Sequence, residues 1–309
     1  MPVLTILKAT KGLNTKNDPA RLKYDPETGI QELAVAVNID IDHTGRISRR
    51  KGFTLQAAGS FHSLFCDGGT ALVCSGGGLF VLHPDYTRTG IRNVTAGARM
   101  SYCQIDNKIY YTNGYETGYV KDELSYAWEA TTYYGPDTKR VLSDPPIGKH
   151  LEFYNGRIYI TQNSVAWYSE PLDYTRFDLH KNYLSFASTI KMIRAATDGI
   201  YISTDKATYF CFGPNPDEGF NWVMVAPYPA IEYSDITING RLIVTQEGDP
   251  VIDTTVNEKA AMWVSTKGVC YGGPSGRLVN ITQEKIDLPT TLIANSFLVD
   301  NKFLTTLEP

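Results

Sequence analysis

The chain has little of what would mark a membrane protein, a disulfide scaffold or a nucleic-acid binder. Its 309 residues contain no apolar run long enough for a membrane-crossing helix, which needs about 18. The opening Met-Pro-Val-Leu-Thr-Ile-Leu-Lys has no long apolar stretch behind a basic end, so a secretory signal is not expected and the chain reads as soluble. The cysteines are few: Cys66, Cys74, Cys103, Cys211 and Cys270, an odd number with no C-x-x-C, as suits reduced and mostly buried thiols. Neither charge dominates, with 29 Lys and Arg against 33 Asp and Glu for a net −4. That balance argues against duplex DNA as the main partner, since phosphate neutralisation needs a basic surplus. The histidines His43, His62, His83, His150 and His180 are scattered without metal-ligand spacing, and no cofactor or metal is expected. Helical periodicity is nearly absent; the best stretch is Lys121 to Trp128, where Leu124 and Trp128 lie four apart.

What is present is aromatic and strand-like. Tyr 20, Phe 12 and Trp 4, with turn residues spread evenly, suit many short strands. A hairpin signature recurs: an Asn, Asp or Gly turn followed by an alternating strand ending in Ser or Thr. It reads Asp106-Asn107-Lys108-Ile109-Tyr110-Tyr111-Thr112, then Asn155-Gly156-Arg157-Ile158-Tyr159-Ile160-Thr161. Asp198-Gly199-Ile200-Tyr201-Ile202-Ser203 and Asn239-Gly240-Arg241-Leu242-Ile243-Val244-Thr245 follow, with a degenerate early copy at Asp67-Gly68-Gly69. The turns at 68, 107, 156, 199 and 240 are 39, 49, 43 and 41 residues apart. Such a superperiod marks propeller blades, whereas a β-sandwich repeats only at the level of single strands. The expectation is an all-β propeller of about five blades of antiparallel strands over 56–309, preceded by an extended arm or clasp over 1–55. Tyr201 to Phe210 and Met262 to Tyr271 read as the same hairpin in two blades about 60 residues apart. That distance breaks the period and leaves Asn239 to Thr245 as either a blade of its own or an outer strand.

Motifs for chemistry are weak. Asp40-Ile41-Asp42-His43-Thr44-Gly45 begins like a calcium loop, but its twelfth position is Lys51 and a hairpin turn with Gly45 at positive φ explains it better. Gly76-Gly77-Gly78 reads as a hairpin tip, and Ser275 does not fit a nucleophile elbow. The enzymatic alternative is a glycoside hydrolase on a five-bladed propeller, with Asp67, Asp106 and Asp198 converging on a cleft. The turn reading explains the same aspartates with fewer assumptions. In the hydrolase alternative the tyrosine-rich surface would stack on sugar rings, and the second alternative is a receptor- or glycan-binding protein.

The N-terminal stretch carries an ordered series: Lys11-Gly12-Leu13-Asn14-Thr15, then Asp18-Pro19-Ala20-Arg21-Leu22, then Leu33-Ala34-Val35-Ala36-Val37-Asn38-Ile39-Asp40-Ile41-Asp42, then Gly45-Arg46-Ile47-Ser48-Arg49-Arg50-Lys51-Gly52-Phe53. Trp167-Tyr168-Ser169-Glu170-Pro171 adds a turn after a strand. This series resembles tailed-bacteriophage virion proteins built as β-propellers and placed in the neck, tail hub or nozzle. The resemblance implies a non-enzymatic structural part of a virion, made in the host cytoplasm and assembling as a symmetric ring. Its partners would be copies of itself and other neck or tail proteins; DNA could pass through the assembly without specific binding, and no membrane is involved. Asn14, Arg21, Asn38, Arg46, Arg49 and Arg50 are the candidate subunit-interface residues, with clasping of the first blade as the alternative for the three last arginines.

Overall fold

In a computed structural model the chain is described for residues 9–308, apart from 28, 43, 68, 131–140, 214, 241–257, 284, 292 and 300–301. Turn residues at short intervals cut the chain into strands, and the strands fold as successive antiparallel sheets. After β1 (Ala9–Leu13), β2 (Tyr24–Asp25), β3 (Ile30–Leu33), β4 (Ile39–Ile41) and β5 (Ile47–Arg49), the first four-stranded sheet comprises β6 (Phe61–Asp67), β7 (Thr70–Ser75), β8 (Gly78–Leu82) and β9 (Arg88–Asn93). The second comprises β10 (Ser101–Ile105), β11 (Lys108–Thr112), β12 (Thr117–Lys121) and β13 (Leu124–Tyr126). The third holds β14 (His150–Tyr154), β15 (Arg157–Gln162), β16 (Val165–Glu170) and β17 (Asp173–Phe177), with β18 (Tyr183–Ser185) also pairing β16. The fourth runs through β19 (Ile190–Ala196), β20 (Gly199–Thr204), β21 (Thr208–Phe212) and β22 (Asn221–Ala226). The fifth contains β23 (Ile236–Asn239), β24 (Lys259–Ser265), β25 (Gly268–Gly272) and β26 (Leu278–Asn280), and a hairpin of β27 (Ile293–Val299) and β28 (Lys302–Glu308) ends the chain.

The first strands β6, β10, β14, β19 and β23 touch in sequence, and β27 follows β23, so the sheets stand around a common centre. This is a propeller-like, all-β arrangement. Apolar side chains fill the gaps between adjacent sheets. Leu72 and Leu79 meet Tyr102 and Tyr111; Tyr110 meets Leu151, Ile158 and Phe177; Tyr159 and Leu184 meet Ile193 and Ile200; Tyr201 and Phe210 meet Trp263. The fifth sheet packs through Met262 and Val264 against Leu298, Phe303 and Ala294 of the last hairpin. Between that hairpin and the first sheet there is instead a cavity of about 690 Å³, walled by Phe61, Val73, Leu82, Tyr86 and Phe297 and by the connecting stretch Phe53 to Ala57.

Two expectations need correction. Lys121 to Trp128 is not helical: Asp122 (φ 49°) and Glu123 (φ 60°) form the tight turn joining β12 to β13. Positive φ at both central residues matches the twist of the flanking strands, and this turn chemistry outweighs the four-residue spacing of Leu124 and Trp128. Asn239 does not begin an outer strand; it closes β23, the first strand of the fifth sheet, and the next strand among the described residues begins at Lys259. From Arg241 onward the 239–245 signature lies outside the described residues. The two hairpins matched in sequence are the same element of two sheets, β20–β21 and β24–β25.

The N-terminal segment is not extended throughout. β1 pairs parallel to β3 and β2 antiparallel to it, while β4 and β5 form a hairpin. Gly45 turns that hairpin at φ 80°, where a Cβ would lie 2.5 Å from the Thr10 carbonyl oxygen, so the turn and β1 require glycine there. The segment reaches the end of the chain at two places: the Thr15 N–H donates to the Lys285 carbonyl at 2.8 Å, and Asp40 accepts from Lys302 Nζ at 2.7 Å.

Candidate functional site

The inner strands enclose a central cavity of about 520 Å³, in the size range of small-molecule sites. One side of it is charged. On β14 the alternation of a strand sends Leu151 towards the second sheet and His150 and Glu152 the other way. On β19 the register slips between Ile190 and Met192, so Lys191 is an extra residue. This bulge lets Lys191 and Arg194, three apart, both reach acidic partners at the cavity. The acids Glu232 and Asp235 lie on the stretch entering the fifth sheet. Ser234 fixes that stretch, its Oγ accepting from the Val264 N–H at 3.0 Å and donating to the Ile231 carbonyl at 2.6 Å.

The charges form two groups. Glu232, buried, accepts from Lys149 Nζ and Lys191 Nζ, each at 3.1 Å, and lies 3.4 Å from His150 Nε2. Burial alone would raise its pKa, but the adjacent His150 imidazole and the charges of Lys149 and Lys191 outweigh burial and pull it down to about 2. In the second group Arg194 spans two carboxylates. Its Nε donates to Asp235 Oδ2 at 2.8 Å, its Nη2 reaches the same oxygen, and its Nη1 lies 3.1 Å from Glu152 Oε2. Lys259 Nζ adds a bond to Glu152 Oε1 at 3.3 Å. Burial disfavours the Arg194 charge, yet Asp235 and Glu152 raise its pKa above the ordinary arginine value. Burial also raises the pKa of the neighbouring Cys103 thiol and Tyr233 phenol, which opposes use of either as a nucleophile or base.

The other side of the cavity is formed by Leu64, Phe65 and Cys66 of β6 and by Asn295 to Leu298 of β27. Between the two sides, Arg99 pairs through Nη2 with Glu308. Its buried Nη1, and Gln104 Oε1, have no hydrogen-bond partner among the described residues. Such groups are ordinarily satisfied by water or a small polar molecule. The described residues contain no cluster of His, Cys, Asp and Glu suited to a metal ion.

None of the sequence-chosen interface residues lines this cavity. Asn14 is buried, its Nδ2 donating to Glu32 Oε2 at 3.0 Å and its Oδ1 accepting from the Lys16 and Asn17 N–H groups, so it organises the N-terminal sheet from within. Arg21, Asn38, Arg46, Arg49 and Arg50 are exposed, with Arg50 Nε 3.4 Å from Asp40 Oδ1. The aspartates of the hydrolase alternative are exposed turn or strand-end residues, and Asp198 is occupied by the N–H and Oγ of Ser275. Sequence reading missed Glu152, Arg194, Glu232, Asp235 and Lys259. A signal existed in single charges set within apolar strands, as in His-Leu-Glu-Phe-Tyr and Ile-Lys-Met-Ile-Arg-Ala-Ala.

No protein-family model matches the chain, and comparison with curated proteins returns no match. Among solved structures it is similar to the extracellular domain of a hybrid two-component system from B. thetaiotaomicron, at 16% identity and a TM-score of 0.45. That alignment covers 81% of this chain and 31% of the other, so this chain spans about a third of that structure's length. A catalytically inactive virginiamycin B lyase from Staphylococcus aureus, solved with quinupristin, is 11% identical with a TM-score of 0.41, covering 77% of this chain and 73% of that one. The N-terminal domain of Nup159 is 8% identical with a TM-score of 0.41, covering 79% and 71% respectively. Likeness at this level carries nothing about activity, ligands or partners.

Proposed function

We propose that the protein is a non-catalytic structural component of a tailed-bacteriophage virion, placed in the neck or tail beside copies of itself and other neck or tail proteins. The observation that carries the non-catalytic part is the occupancy of the central carboxylates. Glu152 and Asp235 are taken up by Arg194, and Glu232 by Lys149, Lys191 and His150. Charges arranged this way fix the relation of three sheets to one another. The placement in a virion rests on the ordered N-terminal series and on the suitability of a rigid, edge-poor disc as a joint within an assembly. In this reading the ring has five complete blades and a two-stranded sixth, β27–β28, and the N-terminal segment clasps the closure through Asp40 and Lys302. Arg21, Asn38, Arg46, Arg49 and Arg50 are free of the cavity and serve contacts to neighbouring subunits. Any DNA would pass, without specific binding, through a ring of copies and not through one subunit, whose central cavity of about 520 Å³ is only the size of a small-molecule site.

A glycoside hydrolase is the second reading, favoured by Glu152 and Asp235 facing a cavity that also holds Phe65 and Phe153. It requires a carboxyl free to give a proton to the leaving group, and Arg194 occupies both. Quantitative mass spectrometry of purified particles from the source lysate separates the two. A fixed copy number per particle is expected; a chain absent from particles and free in the lysate, with sugar-cleaving activity lost in Glu152→Gln, would replace the structural reading by the enzymatic one.

A further inference from the structure

The outermost strands of the five sheets are not alike. Natural sheets guard such edges with charges or keep them short, because unpaired N–H and C=O groups recruit other strands. Here β9 carries Arg88 and Arg92, and β17 carries Asp173 and Arg176. β13 and β26 are only three residues long, beside Lys121, Asp122 and Glu123 in one case and Arg277 in the other. β22 is twice as long as β13 and β26 and uncharged along its length, its guards being a register irregularity at Val225 and the acids Asp217 and Glu218 ahead of it. Its six residues, Asn-Trp-Val-Met-Val-Ala, bear no charge, and Trp222, Val223 and Met224 are 53%, 50% and 56% exposed in succession. Among the described residues its backbone pairs with β21 alone.

The edge is also held in place before anything binds it. The connection from β21 to β22 is tied to the third sheet by Arg157, which is buried and reaches Asn215 Oδ1 at 3.2 Å and the Asp217 carboxylate. Trp222 rests on Phe186, their ring centroids 6.2 Å apart. Little ordering is left to offset on association.

We propose that β22 pairs antiparallel with β22 of a second copy, joining two fourth sheets into one continuous eight-stranded sheet across a two-fold axis. The occupant is a second copy because the edge is complementary to itself. Opposite residues of an antiparallel pair share a face, so a two-fold axis must pass through a residue. Centred on Val223, it sets each Trp222 against Met224 of the other copy, an aromatic–thioether pair, and opposes no like charges. This pairing stands on the edge alone and does not depend on the virion reading.

The test is sedimentation velocity on the full chain, with Val223→Lys and Val223→Glu made separately. The unaltered protein is expected to reach twice its 34.4 kDa as concentration rises. Each variant sets like charges against each other across the axis and should weaken association at least tenfold, with a thermal melt matching the unaltered protein at concentrations where both are monomers, because Val223 is half exposed. Mixing the two variants should restore the dimer, as Lys then meets Glu, which a merely misfolded variant could not do. An unaltered protein that stays monomeric at all concentrations would overturn the proposal. So would a dimer that survives Val223→Lys unweakened, or two variants whose mixture stays monomeric.

Discussion

The two sides of the central cavity are built from different chemistry. The third, fourth and fifth sheets meet it with Glu152, Arg194, Asp235, Glu232 and their lysines, each partnered across a sheet boundary. The first sheet and the β27–β28 hairpin meet it with Leu64, Phe65, Phe297 and Leu298, and among the described residues a cavity of about 690 Å³ lies behind them. Specific pairs therefore fix one side of the ring in register, whereas the other side closes by apolar proximity that leaves a seam. A buried ion pair adds little net stability over apolar packing, but it penalises any displacement that separates its partners. The charged side sets geometry and the seam leaves room for adjustment.

The largest break of this contrast is Arg194→Met. It leaves Glu152 and Asp235 buried without their shared partner and should cost about 3–5 kcal/mol in urea-induced unfolding. A loss below about 1 kcal/mol would mean that the pairs hold nothing in place. Next in size is acid. The Glu232 pKa in the folded protein is about 2, below its ordinary 4.5, so its contribution is present above pH 4.5 and lost as pH falls from there towards 2. Thermal stability across that window should fall more steeply in the unaltered protein than in Glu232→Gln; equal slopes would show that another carboxylate governs acid loss. The smallest effect belongs to the seam. Phe297 is already 43% exposed beside an open cavity, and Phe297→Ala should cost less than about 1 kcal/mol. A loss matching that of Arg194→Met would erase the distinction between the sides.

The turn chemistry was legible because it has few solutions. Asp106 (φ 53°) and Asn155 (φ 46°) occupy left-handed positions that Asp and Asn tolerate, and each opens the turn directly after the first strand of its sheet. Gly199 recurs for another reason: a Cβ there would lie 2.4 Å from Phe210 Cζ, so it marks close strand contact. The superperiod survived in sequence because the sheets repeat their first turn, and it breaks where the matched hairpins β20–β21 and β24–β25 stand about 60 residues apart. On the charged side the isolated charges were legible but their pairing was not. Glu152 lies 107 residues from Lys259 in the chain, and neither has a neighbouring residue that announces the other. The place of β1 was missed because its parallel pairing with β3 leaves no hairpin signature.

Hydrogen exchange followed by mass spectrometry on the full chain tests the contrast most directly, since amide protection reports how readily each sheet opens. The slowest exchange is expected in β14, β19 and β24, which carry the charged partners, with β6, β27 and β28 exchanging faster across the seam. Protection that is uniform around the ring, or greatest in β27 and β28, would contradict it.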